Sequence, residues 1–322
     1  MKPRALLAMS IAVAVFAGLP VGAAAADGLP GEGVVAAPVS APNGHVEFVT
    51  RNAKRDTVLH ERALATGRKL RQLRLRGTFV VPAVAYDGSP TGLSADGRTL
   101  VLIKPRTSWP RKSTSFAVID ARSMRLRRHF ELRGDFSFDA ISPDGRLAYL
   151  VQYLSPSDQT KYAVRAYDMR ARRLFRAPVV DKSEPDEDMS GIPLVRVSDS
   201  EGRWAYTLYS AAEHPFVHAL DTERRTAICI DLDDFRRLGD ANLELSGKRL
   251  TVSNDGGTLA VIDTSTQRVV SRRERTRAAA AVAKDTAGTP WLLLAGPTAA
   301  LLLLAALGRR RLATRPARSR RA

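Results

Sequence analysis

The sequence predicts an all-β fold built from five four-stranded units, and three observations predict it. A short turn that contains glycine recurs five times between residues 44 and 247. A second turn, which opens with an aspartate in four of the five copies, follows each glycine turn. The segments between these turns have strand length and strand-type apolar patterns, and no long amphipathic helical pattern interrupts them.

The glycine turns mark the first half of each unit. They are centred on Gly44, Gly97, Gly145, Gly202 and Gly247, at intervals of 53, 48, 57 and 45 residues. An apolar run of strand type follows every turn, and another precedes most of them. A tight turn with Gly and an Asp, Asn or Ser between two such runs indicates a β-hairpin.

The aspartate turns mark the second half. Asp120, Asp168, Asp221 and Asp263 each end an apolar run and open a polar turn, after which another apolar run begins. An aspartate in this position accepts a hydrogen bond from the backbone about two residues further on. Because each recurs at the same point of its unit, we expect these residues to hold turns and not to catalyse a reaction. In the first copy, Leu64 is expected to take the place of the aspartate.

Units of about 50 residues with four strands are typical of the blades of a β-propeller. The sequence therefore predicts an all-β, β-propeller fold of five four-stranded blades over residues 44–273. Each sheet is expected to be apolar on both faces, so that it must stack on its neighbours. Residues 27–43 are either a linker or the first inner strand.

Two stretches carry a family resemblance. "LTVSNDGGTLAVIDTSTQRVV", residues 250–270, resembles the YVTN-type β-propeller repeat. "AISPDGRLAYLVQ", residues 140–152, is similar to the Ser-Pro-Asp-Gly-Arg turn of the same repeats and of the TolB-like, WD40-like ones. The resemblance covers most of residues 44–270, and it implies a propeller fold.

The two ends of the chain predict export and anchoring. Residues 1–26 have a basic start, an apolar run and small residues before Asp27, which is the pattern of a cleaved signal peptide. Residues 274–287 form a stalk. Residues 288–308 carry no charge and are long enough for a transmembrane helix. Seven arginines in the tail at 309–322 favour a cytoplasmic C-terminus.

This layout predicts a protein of the cell membrane with a single span and an extracytoplasmic body. It resembles bacterial surface proteins that are anchored to the wall by a sortase signal, an apolar span and a basic tail. The Leu-Pro-x-Thr-Gly motif of those proteins is missing. We therefore expect the helix, and not a covalent bond to the wall, to retain the body.

Composition narrows the classes of function. The formal net charge is +17; two positive charges at the N-terminus and seven in the tail leave +8 on the rest. A basic body suits anionic partners. Cys229 is the single cysteine, so no intrachain disulfide forms and no cysteine pair is present to bind a metal. We expect it to be a buried small apolar residue.

Arginines concentrate at the aspartate turns. If those turns share one edge of the fold, that edge is a docking face for polyanions, because forked guanidinium groups suit phosphate and carboxylate. The alternative is a solvated arginine-rich surface. The candidate polyanion-binding residues are Arg68, Arg122, Arg125, Arg170, Arg172, Arg173, Arg224, Arg225 and Arg268.

The remaining loops offer weaker candidates. Trp109, in a basic loop, either stacks on a ligand or packs against a neighbouring blade. The acidic stretches at 181–188 and 231–234 are expected to be solvated loops and not Ca²⁺ sites. His214 and His218 lie four residues apart and lack a recognisable third ligand. We expect no catalytic residue, no cofactor and no metal site.

The sequence therefore favours a non-catalytic module that recognises, or scaffolds on, anionic envelope polymers or another surface protein, with no nucleic acid expected. One alternative is a propeller enzyme, because YVTN-like propellers resemble lactonases in fold; a metal in a central channel is what that resemblance implies. The other alternative is an accessory or sensor subunit of a membrane complex. Fold alone does not choose among the three.

Overall fold

The computed structural model describes residues 37–184, 190–211, 214–232, 238 and 240–272. Regular structure in this part of the chain is entirely β, with nineteen strands and no helix. The predicted signal peptide, stalk, transmembrane helix and basic tail lie outside the described residues. No helix within them is long and apolar enough to cross a bilayer.

The strands form five antiparallel sheets in chain order. The first sheet contains β1 (Val39–Ser40), β2 (Val46–Ala53), β3 (Asp56–Ala63) and β4 (Lys69–Arg76). The second contains β5 (Thr99–Ile103), β6 (Ser113–Asp120) and β7 (Arg125–Arg133). The third contains β8 (Phe136–Ile141), β9 (Leu147–Tyr153), β10 (Tyr162–Asp168) and β11 (Arg173–Leu174).

The last two sheets repeat this plan. The fourth contains β12 (Ile192–Ser198), β13 (Trp204–Ser210), β14 (Phe216–Asp221) and β15 (Thr226–Asp231). The fifth contains β16 (Asn242–Ser246), β17 (Arg249–Asn254), β18 (Gly257–Asp263) and β19 (Arg268–Arg272). In every sheet each strand pairs with the next one along the chain, an organisation consistent with a β-propeller.

The second sheet departs from the prediction of four strands. The stretch at 89–94, expected to be a strand, contributes only isolated bridges, from Leu93 to Leu100 and from Pro90 to Ala83. A further bridge joins Val80 to Ile103. Pro82 and Pro90 lie between the bridges at Val80 and Leu93. Proline has no N–H to donate to a ladder, so a continuous first strand is interrupted here.

Hydrophobic clusters lie between consecutive sheets and form the core. Leu59 and Leu75 of the first sheet pack with Leu100 and Ile119 of the second. Similar clusters join the second sheet to the third, the third to the fourth and the fourth to the fifth. Each sheet therefore buries apolar surface against the sheet that follows it, as expected for stacked repeats.

The stack also brings the second and fourth sheets into contact. The N–H of Tyr86 donates to the carbonyl of Pro193 (2.8 Å), and the N–H of Asp87 donates to that of Leu194 (3.1 Å). These residues belong to the loop that precedes β5 and to β12. The stack is therefore curved, since a loop of the second sheet reaches the first strand of the fourth.

The first and fifth sheets differ from the expectation that every sheet is apolar on both faces. The far face of the first sheet carries Glu47 and Arg62, which form an ion pair (2.7 Å), together with the exposed Arg74. The far face of the fifth carries the exposed Glu244 and Arg249. Among the described residues, no hydrophobic cluster joins these two sheets. Polar outer faces are typical of terminal repeats.

Candidate anion-binding face

The glycine turns and the aspartate turns lie at the same edge of the sheets. Each sheet is an antiparallel meander, so the turn between its first two strands and the turn between its last two strands share one edge. The turns between the middle strands lie at the other edge. We name the first edge the arginine face, and define it by the nine arginines that the sequence analysis selected.

The aspartates hold their turns through Oδ1. The Oδ1 of Asp120 accepts the N–H of Ser123 (2.9 Å), and that of Asp263 accepts the N–H of Ser265 (2.8 Å). Asp168 and Asp221 each accept two successive backbone N–H groups at 2.8–3.1 Å. These bonds satisfy donors that the turn would otherwise leave without a partner.

A second feature of the turn escaped the sequence analysis. Four residues after each aspartate, the backbone is left-handed, at Met124, Arg172, Arg225 and Gln267 (φ of 51–58°). The corresponding residue in the first sheet is Gly67 (φ 65°), whose N–H donates to the carbonyl of Ala63. The register therefore places Ala63, and not Leu64, at the aspartate position, because β3 ends at Ala63 as the equivalent strands end at their aspartates.

Arginines that follow the glycine turns are paired. Arg146 contacts the second carboxylate oxygen of Asp168 (3.2 Å), and Arg203 contacts that of Asp221 (2.9 Å). Asp120 is paired differently, with Arg127 of β7 (2.7 Å). The bond from Arg127 lowers the pKa of Asp120 to about 2. At Asp168 and Asp221 burial opposes the shift, but the pKa of each is lowered, at Asp168 by the N–H of Ala171 and then Arg146, and at Asp221 by Arg203. This set of arginines therefore supports the turns.

The nine arginines of the arginine face do not form such ion pairs with described residues. All nine are exposed. In the part of the chain that the structure describes, none of their guanidinium groups forms an ion pair or a hydrogen bond. Two of them, Arg173 and Arg225, lie over the ring of Phe175 at 5.2 and 4.1 Å. Their charge is therefore directed to solvent and available to a ligand.

Grooves between consecutive sheets open on this face. The groove between the second and third sheets has a volume of about 440 Å³ and contains a single acidic residue, Asp144. Its arginines are Arg127, Arg128, Arg146, Arg170 and Arg172. A second groove, between the third and fourth sheets, is more balanced because Asp144, Asp168 and Glu223 line it with Arg146 and Arg225. The first groove is the more strongly cationic.

Arg127 and Arg128 were not predicted from the sequence as members of this groove. They follow Arg125 in "RLRRH" on β7, an edge strand whose side chains alternate between two faces. The alternation of side chains along β7 was the sequence signal that indicated where Arg127 and Arg128 lie. Nothing in the sequence showed that Arg127 is already paired with Asp120.

The other candidate residues lie elsewhere. The indole of Trp109 donates to the carbonyl of Pro156 (2.8 Å) and packs edge-on against Tyr153, so this side chain contacts the third sheet. His214 lies 3.5 Å from Asp231. Three of the five acidic residues at 181–188, together with Asp233 and Asp234, lie outside the described residues.

A buried polar row between the third and fourth sheets was also missed. Arg196 of β12 bonds to Asp139 of β8 and to Thr207 of β13, and His218 of β14 is the cross-strand neighbour of Thr207. Burial, followed by repulsion from Arg196, outweighs nearby carboxylates and lowers the pKa of His218 to about 4. A charged residue inside an apolar strand, as in "FDAIS" and "LVRVS", was the available signal.

Comparison with known proteins gives structural similarity only. No family model matches the chain, and no curated protein matches it. TolB from Acinetobacter baumannii is 12% identical, with a TM-score of 0.40 over 73% of this chain and 53% of that one. The Cps50 (Swd1) β-propeller domain of Myceliophteria thermophila is 14% identical, with a TM-score of 0.42 over 70% and 63%.

A putative TolB from Agrobacterium tumefaciens is 12% identical, with a TM-score of 0.38 over 73% of this chain and 79% of that one. The chain thus spans about half of the first TolB and under two thirds of the Swd1 domain. At these identities and TM-scores, the similarity assigns neither a family nor an activity to this chain.

Proposed function

We propose that the five sheets are the five blades of a β-propeller that acts as a non-catalytic recognition or scaffold module for anionic envelope polymers. One observation carries the proposal. Nine exposed arginines, whose guanidinium groups form no ion pair or hydrogen bond in the described residues, lie on one edge, and every sheet contributes at least one of them. Such guanidinium groups thus recur at the same edge of all five sheets, within reach of a single extended anion.

The arrangement suits a polymer better than a small anion. Stacked sheets lie about 10 Å apart, so arginines from successive sheets present cations at repeated intervals. A chain with regularly spaced phosphates or carboxylates engages several of them at once. Guanidinium groups bind both kinds of anion in a forked geometry. The cationic groove between the second and third sheets is the proposed centre of this contact.

Anchoring forms the second part of the proposal. The body is held outside the cell membrane by the predicted helix at 288–308, after removal of residues 1–26. Strand β19 runs from Arg268, at the arginine face, to Arg272 at the other edge. The described chain therefore ends at the edge opposite the arginine face.

The test measures binding of the full chain, in neutral detergent, to a purified poly(glycerol phosphate) teichoic acid. Binding should weaken steeply with salt, because charge pairs at the surface are screened within about 10 Å at 0.1 M. A variant with Arg122, Arg125, Arg172, Arg173 and Arg225 changed to Gln should lose about fivefold in affinity or more, at roughly 0.2–1 kcal/mol for each exposed pair.

The matched control neutralises five exposed cations that do not belong to the arginine face: Lys54, Arg55, Arg76, Lys104 and Lys112. Arg106 and Arg111 are unsuitable as controls because they form buried ion pairs with Asp135. The control should bind like the wild type. Equal losses in both variants, or no binding at low salt, would show that the arginine face is only a solvated surface.

A further inference from the structure

The connection from the third sheet to the fourth is docked onto the outer strand of the fourth. Asp181 forms a parallel bridge with Ala227 of β15. Its Oδ2 accepts the N–H of Cys229 (2.9 Å), and its Oδ1 accepts the N–H of Ser183 (2.8 Å). These bonds fix the carboxylate next to the single cysteine of the chain.

Three potential metal ligands meet at this point. A carboxylate oxygen of Asp181, a carboxylate oxygen of Glu184 and the sulfur of Cys229 all lie within 4.8 Å of one another. No thiolate metal site was expected from the sequence, because the chain has no cysteine pair. A mixed set of ligands does not require a pair.

A fourth candidate comes from the neighbouring strand, although its ring nitrogens are not among the ligand atoms that lie within 4.8 Å of one another. His218 of β14 is the cross-strand partner of Cys229. The N–H of Cys229 points away from β14, towards Asp181, so the two residues form a non-hydrogen-bonded pair, in which side chains of the same face approach most closely. Asp181 and His218 are also near enough that each affects the pKa of the other.

The imidazole of His218 needs a partner. The residue is 1% exposed, and neither ring nitrogen has a hydrogen-bond partner. A neutral imidazole always presents one N–H and one lone pair, and burying both without partners is costly. A metal ion bound to one nitrogen would satisfy that lone pair and hold the ring in place.

We propose that Asp181, Glu184, Cys229 and His218 bind one divalent ion of the zinc class. Thiolate, imidazole and carboxylate are the ligands that Zn²⁺ takes in tetrahedral sites. On binding, the thiol of Cys229 loses its proton to solvent and its sulfur bonds to the metal, with no change in oxidation state. The ion links the connection at Asp181 and Glu184 to β14 and β15 of the fourth sheet. This role is independent of the arginine face.

The test uses the full chain, stripped with a chelator and titrated with Co²⁺ and then with Zn²⁺. We expect one Co²⁺ per chain and a thiolate-to-cobalt charge-transfer band, which Zn²⁺ abolishes by displacement. Zn²⁺ should also slow alkylation of the thiol, a reaction that reports on Cys229 alone because the chain has one cysteine. Thermal unfolding should shift to higher temperature with Zn²⁺.

Variants assign the ligands. Cys229→Ser should lose the charge-transfer band. Changes in the outer shell of a metal site weaken binding by about 10- to 100-fold. Glu184→Gln, a change at an exposed position, should weaken Zn²⁺ binding by more than that. The matched control, His45→Gln with Glu201→Gln, changes the same residue types at other exposed positions and should bind as the wild type does.

His218→Gln should reduce affinity and alter the cobalt spectrum while retaining the charge-transfer band. If that variant does not fold, Glu184→Gln and the alkylation assay still decide the question. Stoichiometric binding with no charge-transfer band, equal affinity in Glu184→Gln and the control, or alkylation unaffected by Zn²⁺ would each overturn the proposal.

Discussion

Arg196 donates two hydrogen bonds to Asp139, one to its carboxylate and one to its carbonyl oxygen, across the interface between the third and fourth sheets. Only 6% and 1% of the two side chains are exposed. The second carboxylate oxygen of Asp139 is buried without a partner. This interface therefore encloses charged as well as apolar side chains.

Loss of one member of this pair should be severe. Arg196→Met leaves the carboxylate of Asp139 buried without a counter-charge, and breaking a buried pair in this way costs about 3–5 kcal/mol. Urea unfolding of the full chain measures the change. The double variant Asp139→Val with Arg196→Met should be more stable than Arg196→Met alone, because it removes both charges. Arg74→Met, at a pair in which the arginine is 71% exposed, should cost under about 1 kcal/mol.

The turn aspartates should differ in their contribution to stability. Asp221 is buried and holds two backbone N–H groups and Arg203. Asp221→Ala should therefore lower the free energy of unfolding by about 2 kcal/mol. Asp263→Ala should have a smaller effect, since that turn is exposed to water. An equal loss at both positions, measured by chemical denaturation, would contradict this ranking.

Asp120 should contribute a stability term that depends on pH. The hydrogen bonds from Arg127 and from the N–H of Ser123 lower its pKa from 3.8 to about 2. Between these values the unfolded chain binds more protons, so the contribution is full above about pH 4 and is lost as the pH falls towards 2. Asp120→Asn should therefore lose less stability than the wild type over this window, as measured by thermal unfolding at successive pH values. Parallel profiles would count against the assignment.

Two glycines at equivalent turns offer a matched test of packing. Gly44 and Gly145 have nearly the same φ (69° and 68°), but a Cβ at Gly44 would lie in open space. A Cβ at Gly145 would lie 2.4 Å from Oγ1 of Thr99. Gly44→Ala should cost about 1–2 kcal/mol of backbone strain. Gly145→Ala should cost roughly 1–3 kcal/mol more through overpacking, and Thr99→Ala should recover part of that difference.

Turns and strands were predictable because their causes are local. A glycine at positive φ and an aspartate that bonds the backbone act within a few residues, as at Gly145 and Asp168. The first strand of the second sheet was not predicted correctly, because its interruption by Pro82 and Pro90 mattered more than its apolar residues. Leu64 was assigned wrongly because the left-handed residue, Gly67, and not the apolar pattern, fixes the register.

Which charges are paired was not predictable. Arg146 follows the glycine turn of the third sheet and Arg172 lies in its aspartate turn, yet the first contacts Asp168 and the second lies exposed without a partner in the described chain. That difference depends on side-chain geometry at the edge of the sheet. The environment of His218 depends on the pairing of β14 with β15, which follows it in the chain, and on the loop at Asp181, which precedes it. Sequence spacing contains neither relationship.

The backbone bonds from Tyr86 and Asp87 to β12 have a kinetic consequence. In an array where each unit touches only its neighbours, terminal units can melt one at a time. Here residues 107 positions apart along the chain, Tyr86 and Pro193, are joined directly. The fourth sheet cannot detach without releasing the loop of the second, so unfolding should be more cooperative than in a linear array. A contact of such sequence separation also slows folding, since a long loop must close before its bonds form.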